Sequence, residues 1–137
     1  MKARLSETEV RDRLEPLFRR PGVRLAVLFG SLARGQARAS SDVDVGILAD
    51  VGPGSFEEIR VEALRALGTD AVDVVDLRRA TPLLAMAVAR DGKVLYEKNT
   101  SEFAAFASLA LRRYNDTARL RRLREKGLKT FLAEKKV

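Results

Sequence analysis

The stretch VRLAVLFGSLARGQARASSDVDVGILA, residues 23–49, decides the fold of this chain. Its first seven residues form an apolar run rich in valine and leucine, which is typical of a buried β-strand. Small and polar residues then predict a loop from Gly30 to Ser41. From Asp42 to Leu48, acidic and apolar residues first alternate and apolar residues then follow alone, which predicts a second strand. The stretch therefore predicts two strands joined by a loop that opens with glycine and serine.

Helices and further strands alternate on both sides of this stretch. Ser6 and Glu9 have the spacing of a capping box and predict a first helix. The other predicted elements are a helix capped by Ser55 that runs to about Leu67, a strand from Ala71 to Leu77, a helix capped by Thr81, an edge strand at 93–96 and a helical region capped by Ser101. This alternation predicts an α/β (α+β) fold, with a small mixed β-sheet of three to four strands flanked by helices and a helical C-terminal tail.

The composition excludes several kinds of chemistry. The chain has 137 residues, which is the size of one domain, and contains no cysteine and no histidine. Thiol nucleophiles, Ser-His pairs and zinc sites of the Cys/His kind are therefore excluded. A metal would have to bind to carboxylates, which favours Mg²⁺, Mn²⁺ or Ca²⁺. No apolar stretch approaches the length of a membrane span, so no membrane partner is expected and the cytoplasm is the expected compartment.

The net charge of +7 is concentrated at the C-terminus. Residues 1–111 contain 16 basic and 16 acidic residues, whereas residues 112–137 contain 10 basic and three acidic ones. The charge distribution therefore predicts a neutral body with a basic C-terminal extension. We place the domain over residues 1–100 and the helical extension over 101–137, because the last predicted helical region begins at Ser101. The extension can be a solvated amphipathic helix, a docking helix for a protein or a nucleic-acid contact. Nucleic acid is disfavoured, because aromatic residues are not interleaved with the basic ones.

Acidic residues on the predicted strands are the candidate metal ligands. Asp42 and Asp44 are two residues apart, so on a strand their carboxylates point to the same face and form a natural clamp for a divalent cation. Asp73 lies in the next strand between valines and can join them if the two strands are neighbours. Asp76 is an odd number of residues from Asp73, so the two cannot face the same way. Asp73 is preferred because it lies deeper in the apolar run, and Asp76, near the end of the strand, is the alternative.

The Gly30-Ser31 turn is the candidate phosphate site. It follows a strand and offers backbone N–H groups and a hydroxyl, which suit an anion, and Arg34 can bind phosphate through two hydrogen bonds. A triphosphate on this turn, with two metal ions on three carboxylates, is the arrangement for in-line nucleotidyl transfer. That reaction needs no histidine as a base, in agreement with the composition.

These motifs resemble the minimal nucleotidyltransferases of the DNA polymerase β-like nucleotidyltransferase superfamily. The resemblance covers about residues 10–98 and includes Gly30-Ser31, the Asp42-x-Asp44 strand and the Val-Asp-Val-Val-Asp-Leu strand at 72–77. It implies the polymerase β-like nucleotidyltransferase fold and catalysis with two Mg²⁺ ions and ATP. It also implies that Asp42, Asp44 and Asp73 bind the metal, and that Gly30 and Ser31 bind the nucleotide.

The resemblance also implies a partner. Members of this family are commonly paired with a HEPN ribonuclease toxin, to which they transfer AMP from ATP, at a tyrosine, as antitoxins. We therefore expect a HEPN-type toxin as partner, and the chain can form a homo-oligomer or a hetero-oligomer. Two alternatives stay open: transfer to a small molecule of the aminoglycoside kind, and a non-catalytic antitoxin that masks its partner by binding.

Overall fold

The computed structural model describes residues 5–30, 43–52, 54–69 and 71–135 of the chain. Within these residues the helices are α1 (Glu7–Phe18), α2 (Phe56–Leu67), a short 3₁₀ helix (Leu77–Arg79), α3 (Pro82–Asp91) and α4 (Glu102–Lys135). The strands are β1 (Val23–Phe29), β2 (Val43–Ala49), β3 (Val72–Asp76) and β4 (Lys93–Glu97). The predicted α/β architecture and its element order are confirmed.

The predicted helix caps at Ser6 and Thr81 form as expected. The Ser6 hydroxyl accepts a hydrogen bond from the Glu9 amide at 3.1 Å, and the Glu9 carboxylate accepts one from the Ser6 amide at 3.3 Å. The Thr81 hydroxyl accepts from the Leu84 amide at 3.2 Å, and Pro82 follows at the first helical position, where a missing N–H costs nothing. The prediction for Ser55 is wrong, because its backbone is helical rather than extended and its side chain makes no capping bond.

The four strands form one mixed sheet in the order β3-β2-β1-β4. β1 pairs antiparallel with both β2 and β4, whereas β2 and β3 are parallel. The parallel pair requires a crossover connection, which α2 supplies. β4 lies at one edge, as predicted, and β3 at the other. The mixed sheet therefore brings the N-terminal ends of β2 and β3 to the same end of the sheet as the C-terminal end of β1.

Apolar side chains cover both faces of the sheet. On one face α1 and α2 pack against the strands, and the fully buried side chains there include Leu14, Leu17, Val45, Ile47 and Ile59. On the other face the core is smaller and involves α3 and the start of α4; it includes Leu25, Val27, Phe29, Leu77 and Val88. Because β1 contributes buried side chains to both faces, its sequence is an apolar run with the single exception of Arg24.

A buried acidic residue attaches the first turn of α4 to the sheet. Glu102 is 7% exposed, and its Oε2 lies 3.0 Å from Nη2 of Arg24 on β1. The hydrogen bond with Glu102 is the largest influence that raises the pKa of Arg24, and the charge of Asp50 adds to it. The Glu97 carboxylate accepts a hydrogen bond from the Phe103 amide at 2.9 Å. These contacts fix the direction in which α4 leaves the body.

α4 continues as one helix to Lys135, so the predicted tail is helical throughout its described part. The division between residues 1–100 and 101–137 as separate units stays a prediction. None of the helices in the described ranges combines the length and the apolar character that crossing a bilayer would require.

Candidate active site

The end of β1 and the beginning of β2 meet at Gly30 and Asp44. Phe29, the last residue of β1, is the register partner of Asp44, so Gly30 leaves the sheet beside the Asp44 carboxylate. Gly30 has a φ of 81°, in the left-handed region that favours glycine. A Cβ atom at this position would overlap Oδ2 of Asp44. The glycine therefore permits both the turn and the close approach of a carboxylate to the backbone.

Asp44 and Asp73 are direct neighbours across the parallel strands. The register pairs Asp44 of β2 with Asp73 of β3, and residues paired in this way point to the same face of the sheet. Neighbouring strands lie about 4.8 Å apart, so the two carboxylates share one small region of that face. The Asp44 side chain is half-buried and Asp73 is exposed. The sheet thus presents two adjacent carboxylates beside the Gly30 turn.

Asp76 has a different place and a different contact. It is the register partner of Ile47, whose side chain is buried under α1 and α2, so it belongs to the face opposite Asp44. Its Oδ1 accepts a hydrogen bond from the Arg78 amide at 3.0 Å and so caps the 3₁₀ helix. The register therefore brings Asp73, and not Asp76, next to Asp44. The role of Asp73 as a metal ligand stays a prediction.

The face on which Asp44 and Asp73 lie becomes apolar within two residues. Gly46 follows on the same side of β2, and a Cβ atom there would lie 2.6 Å from Cδ2 of Leu77. Leu77 itself is 3% exposed and packs with the core under α3. The carboxylates thus lie at the margin of the apolar core, with buried side chains on one side of them and solvent on the other. Such a margin allows charged oxygen atoms to be held in place without being removed from solvent.

Three of the predicted site residues lie outside the described residues: Ser31, Arg34 and Asp42. The described ones, Gly30, Asp44 and Asp73, come together at one end of the sheet. Within the described ranges no group of three acidic side chains is placed to hold a metal ion. The third carboxylate predicted for such a group, Asp42, precedes β2 directly in the sequence.

The opposite end of β2 has a cavity that the sequence did not indicate. Its volume is about 440 Å³, and its lining includes Ala49, Phe56, Arg60, Asp76, Arg78 and Arg79. Nη1 of Arg78 donates a hydrogen bond to the backbone oxygen of Val51 at 3.4 Å. Nε of Arg60 donates one to the backbone oxygen of Val74 at 3.2 Å. Neither Asp44 nor Asp73 contributes to this cavity. These two arginines therefore already have backbone partners within the described part of the chain.

The sequence did not reveal the contact between Gly30 and Asp44. Both residues were singled out, one for phosphate and one for metal, yet nothing local links two residues that are 14 positions apart. A glycine followed directly by a polar loop was the available signal, and it indicates only a turn. The contact depends on the register of β1 against β2.

Comparisons with known proteins agree with this geometry. The family described as Polymerase beta, Nucleotidyltransferase matches residues 13–101. The protein adenylyltransferase MntA of Aphanizomenon flos-aquae is 32% identical over 135 residues, which cover 87% of each chain.

Two solved structures share the fold along nearly the whole chain. One is a crystal structure of a toxin-antitoxin with AMP-PNP: the TM-score is 0.72 and the identity 28%, with 91% of this chain and 99% of the other covered. The second contains a tri-AMPylated Shewanella oneidensis HEPN toxin in complex with MNT antitoxin. Its TM-score is 0.70 and its identity 25%, with 90% and 98% of the two chains covered. The chain therefore belongs to the polymerase beta nucleotidyltransferase family, and within it resembles the MntA protein adenylyltransferases.

Proposed function

We propose that this chain is a Mg²⁺-dependent adenylyltransferase that moves AMP from ATP to a tyrosine hydroxyl of a HEPN ribonuclease toxin, in the role of an antitoxin. The observation that carries the proposal is the pairing of Asp44 with Asp73 beside the Gly30 turn, in a chain of the nucleotidyltransferase family. Its similarity to a protein adenylyltransferase and to toxin-antitoxin structures, one with AMP-PNP and one with an AMPylated toxin, supports the nucleotide and the partner.

The donor atoms of this region suit magnesium. Mg²⁺ prefers oxygen ligands and is usually held by one or two carboxylates together with substrate phosphates. Asp44 and Asp73 supply adjacent carboxylates on one face, and we assign Asp42 as the third. When bound, Mg²⁺ lowers the pKa of the attacking hydroxyl and stabilises the charge on the leaving pyrophosphate. No ligand of another chemical type is needed, in a chain that lacks histidine and cysteine.

The residues around the turn position the nucleotide. Gly30 has a positive φ, and the absence of a side chain makes room for the Asp44 carboxylate directly beside the turn where we expect the phosphates. We assign Ser31 to donate backbone and hydroxyl hydrogen bonds to the triphosphate, and Arg34 to bind it with its guanidinium group. These groups hold the α-phosphate in line with the incoming hydroxyl.

The transfer exchanges one phosphorus–oxygen bond for another. The acceptor oxygen forms a bond to the α-phosphorus, and the bond from that phosphorus to the oxygen bridging to the β-phosphate breaks. Pyrophosphate leaves with the bonding electron pair. We assign the proton of the hydroxyl to Asp73, because its carboxylate is exposed on the face where the acceptor must approach.

Transfer of label from [α-³²P]ATP to the purified toxin tests the proposal. Replacing Asp44 or Asp73 with asparagine keeps the shape of the side chain and removes its charge, so we expect the rate to fall about a hundredfold or more. Asp76→Asn is the matched control, since an asparagine oxygen still accepts the hydrogen bond from Arg78. Undiminished transfer by the Asp44→Asn variant would refute the assignment of the site.

The same variants separate catalysis from masking. A toxin whose activity is suppressed only after AMP transfer will stay active in the presence of the Asp44→Asn variant. Suppression of the toxin by that variant at stoichiometric concentration would instead favour an antitoxin that acts by binding.

A further inference from the structure

The part of α4 that extends beyond the body has an uncovered apolar face. We call residues 119–133 the distal segment. Its four leucines are all about half exposed or more: Leu120 62%, Leu123 54%, Leu128 57% and Leu132 51%. By contrast, Ala110, nearer the start of α4, is 2% exposed. Several half-exposed leucines along one helix leave apolar surface uncovered, and a contiguous patch of this kind commonly marks a contact site.

The leucines are confined to one half of the helix. Successive residues of a helix are about 100° apart around its axis. This spacing places all four leucines within one half of the helix surface, with Leu132 one turn after Leu128. Four of the six basic residues lie on the other side: Arg119, Arg122, Lys126 and Lys129. Arg121 lies at the edge of the apolar half, where its guanidinium group stacks on the Tyr114 ring at 4.0 Å. The segment is therefore amphipathic, with its polar half facing solvent and its apolar half available for a contact.

Gly127 also lies on the apolar half. Glycine within a helix costs about 1 kcal/mol relative to alanine, so its position requires a reason. A Cβ atom at Gly127 would have no atom within 4 Å, so packing within the described part of the chain does not supply that reason. A glycine between leucines forms a shallow notch, into which the side chain of a partner can fit closely.

Arg124 decides between the kinds of partner. On the helical wheel it lies in the middle of the apolar half, it is exposed, and it forms no ion pair with any residue that the structure describes. A helix lying on a lipid bilayer would have to push this cation into the acyl region, which is costly. Each copy of the segment contains six basic residues and one acidic residue, a net charge of +5. Two copies that packed against each other would therefore repel. A protein with an apolar groove that contains a carboxylate fits instead.

We propose that the distal segment is a docking helix for the protein that receives AMP, and that this protein offers an apolar groove with an acidic side chain opposite Arg124. The identity of the partner rests on the proposed function; the helix-in-groove contact does not depend on catalysis. Docking through an arm separate from the site tethers the acceptor to the chain without using Asp44 or Asp73 for the contact. The same contact supplies affinity even when no nucleotide is present.

Binding of the full-length chain to the HEPN toxin of its source organism, measured by calorimetry without ATP, tests the proposal. Leu120→Gln and Leu128→Gln keep helix propensity and remove apolar contact, so each is expected to weaken Kd at least about tenfold. Arg124→Glu is expected to weaken it as well, by placing a carboxylate against a carboxylate. Leu83→Gln on α3 is the matched control, because Leu83 is 61% exposed outside this face, and its Kd is expected to equal that of the unmodified chain.

Three results would overturn the proposal. The first is unchanged Kd in both leucine variants. The second is a leucine-dependent dimer of the chain in light scattering. The third is sedimentation with phosphatidylglycerol vesicles that the leucine variants abolish while toxin binding persists. The Asp44→Asn variant separates the two proposals, because it is expected to bind the toxin normally without transferring AMP. Loss of binding in the leucine variants, with no AMP transfer by the unmodified chain, would support docking and refute the proposed catalysis.

Discussion

Replacing Gly30 with alanine adds one methyl group where β1 ends against Asp44. The backbone φ of 81° costs an alanine about 1–2 kcal/mol. The new Cβ would also overlap the Asp44 carboxylate, which has to retreat by about 1 Å to restore an ordinary contact distance. A displacement of this size at a reacting centre can lower the rate about a hundredfold. We therefore expect a small loss of stability and a large loss of AMP transfer.

Gly68→Ala is the matched control for this experiment. Gly68 ends α2 with a φ of 68°, so alanine there has a similar backbone cost. The nearest atom to its Cβ would be Nη1 of Arg13 at 3.9 Å, so no side chain is displaced. Each substitution should lower the Tm measured by thermal denaturation by about 3–8 °C. Labelling from [α-³²P]ATP should fall only in Gly30→Ala.

Two outcomes would refute this reasoning. If Gly30→Ala retains more than half of the transfer rate, the Asp44 carboxylate does not need its observed position. If Gly68→Ala loses as much activity as Gly30→Ala, backbone strain alone explains the effect, and the contact with Asp44 is irrelevant.

Three further predictions concern the caps, the buried ion pair and the metal. Ser6→Ala removes the acceptor for the Glu9 amide and should lower the free energy of unfolding in urea by about 1 kcal/mol; an unchanged midpoint would show that the capping box contributes nothing. Arg24→Ala leaves Glu102 buried without its cation and should cost about 1–3 kcal/mol in the same assay, whereas a variant as stable as the parent would contradict the role given to this pair. Because the pKa of Arg24 is raised above its already high ordinary value, we expect the arginine side of this pair to lose no stability at mildly alkaline pH. EDTA should abolish transfer of AMP and excess Mg²⁺ should restore it; transfer that persists in EDTA would exclude the metal mechanism.

Local patterns in the sequence were sufficient for the elements themselves. The run at Val23–Phe29 became β1 with the predicted ends, because a strand buried on both faces is apolar at nearly every position; Arg24 is the exception and is not fully buried. Ser6 with Glu9, and Thr81 with Pro82, marked two helix starts correctly, because capping depends on residues three apart. The predicted cap at Ser55 does not form, because the backbone of Ser55 is itself helical, which no local pattern predicted.

The sequence by itself predicted carboxylates and a Gly-Ser pair at strand ends, and determined that any metal would have oxygen ligands. It also showed that Asp73 and Asp76 must face opposite sides. Only the tertiary structure decided which of the two lies beside Asp44, because that choice depends on the register between β2 and β3, and a slip of one residue exchanges the two faces. The contact of Gly30 with Asp44 and the bare apolar face of α4 likewise depend on distant parts of the chain, which local periodicity does not encode.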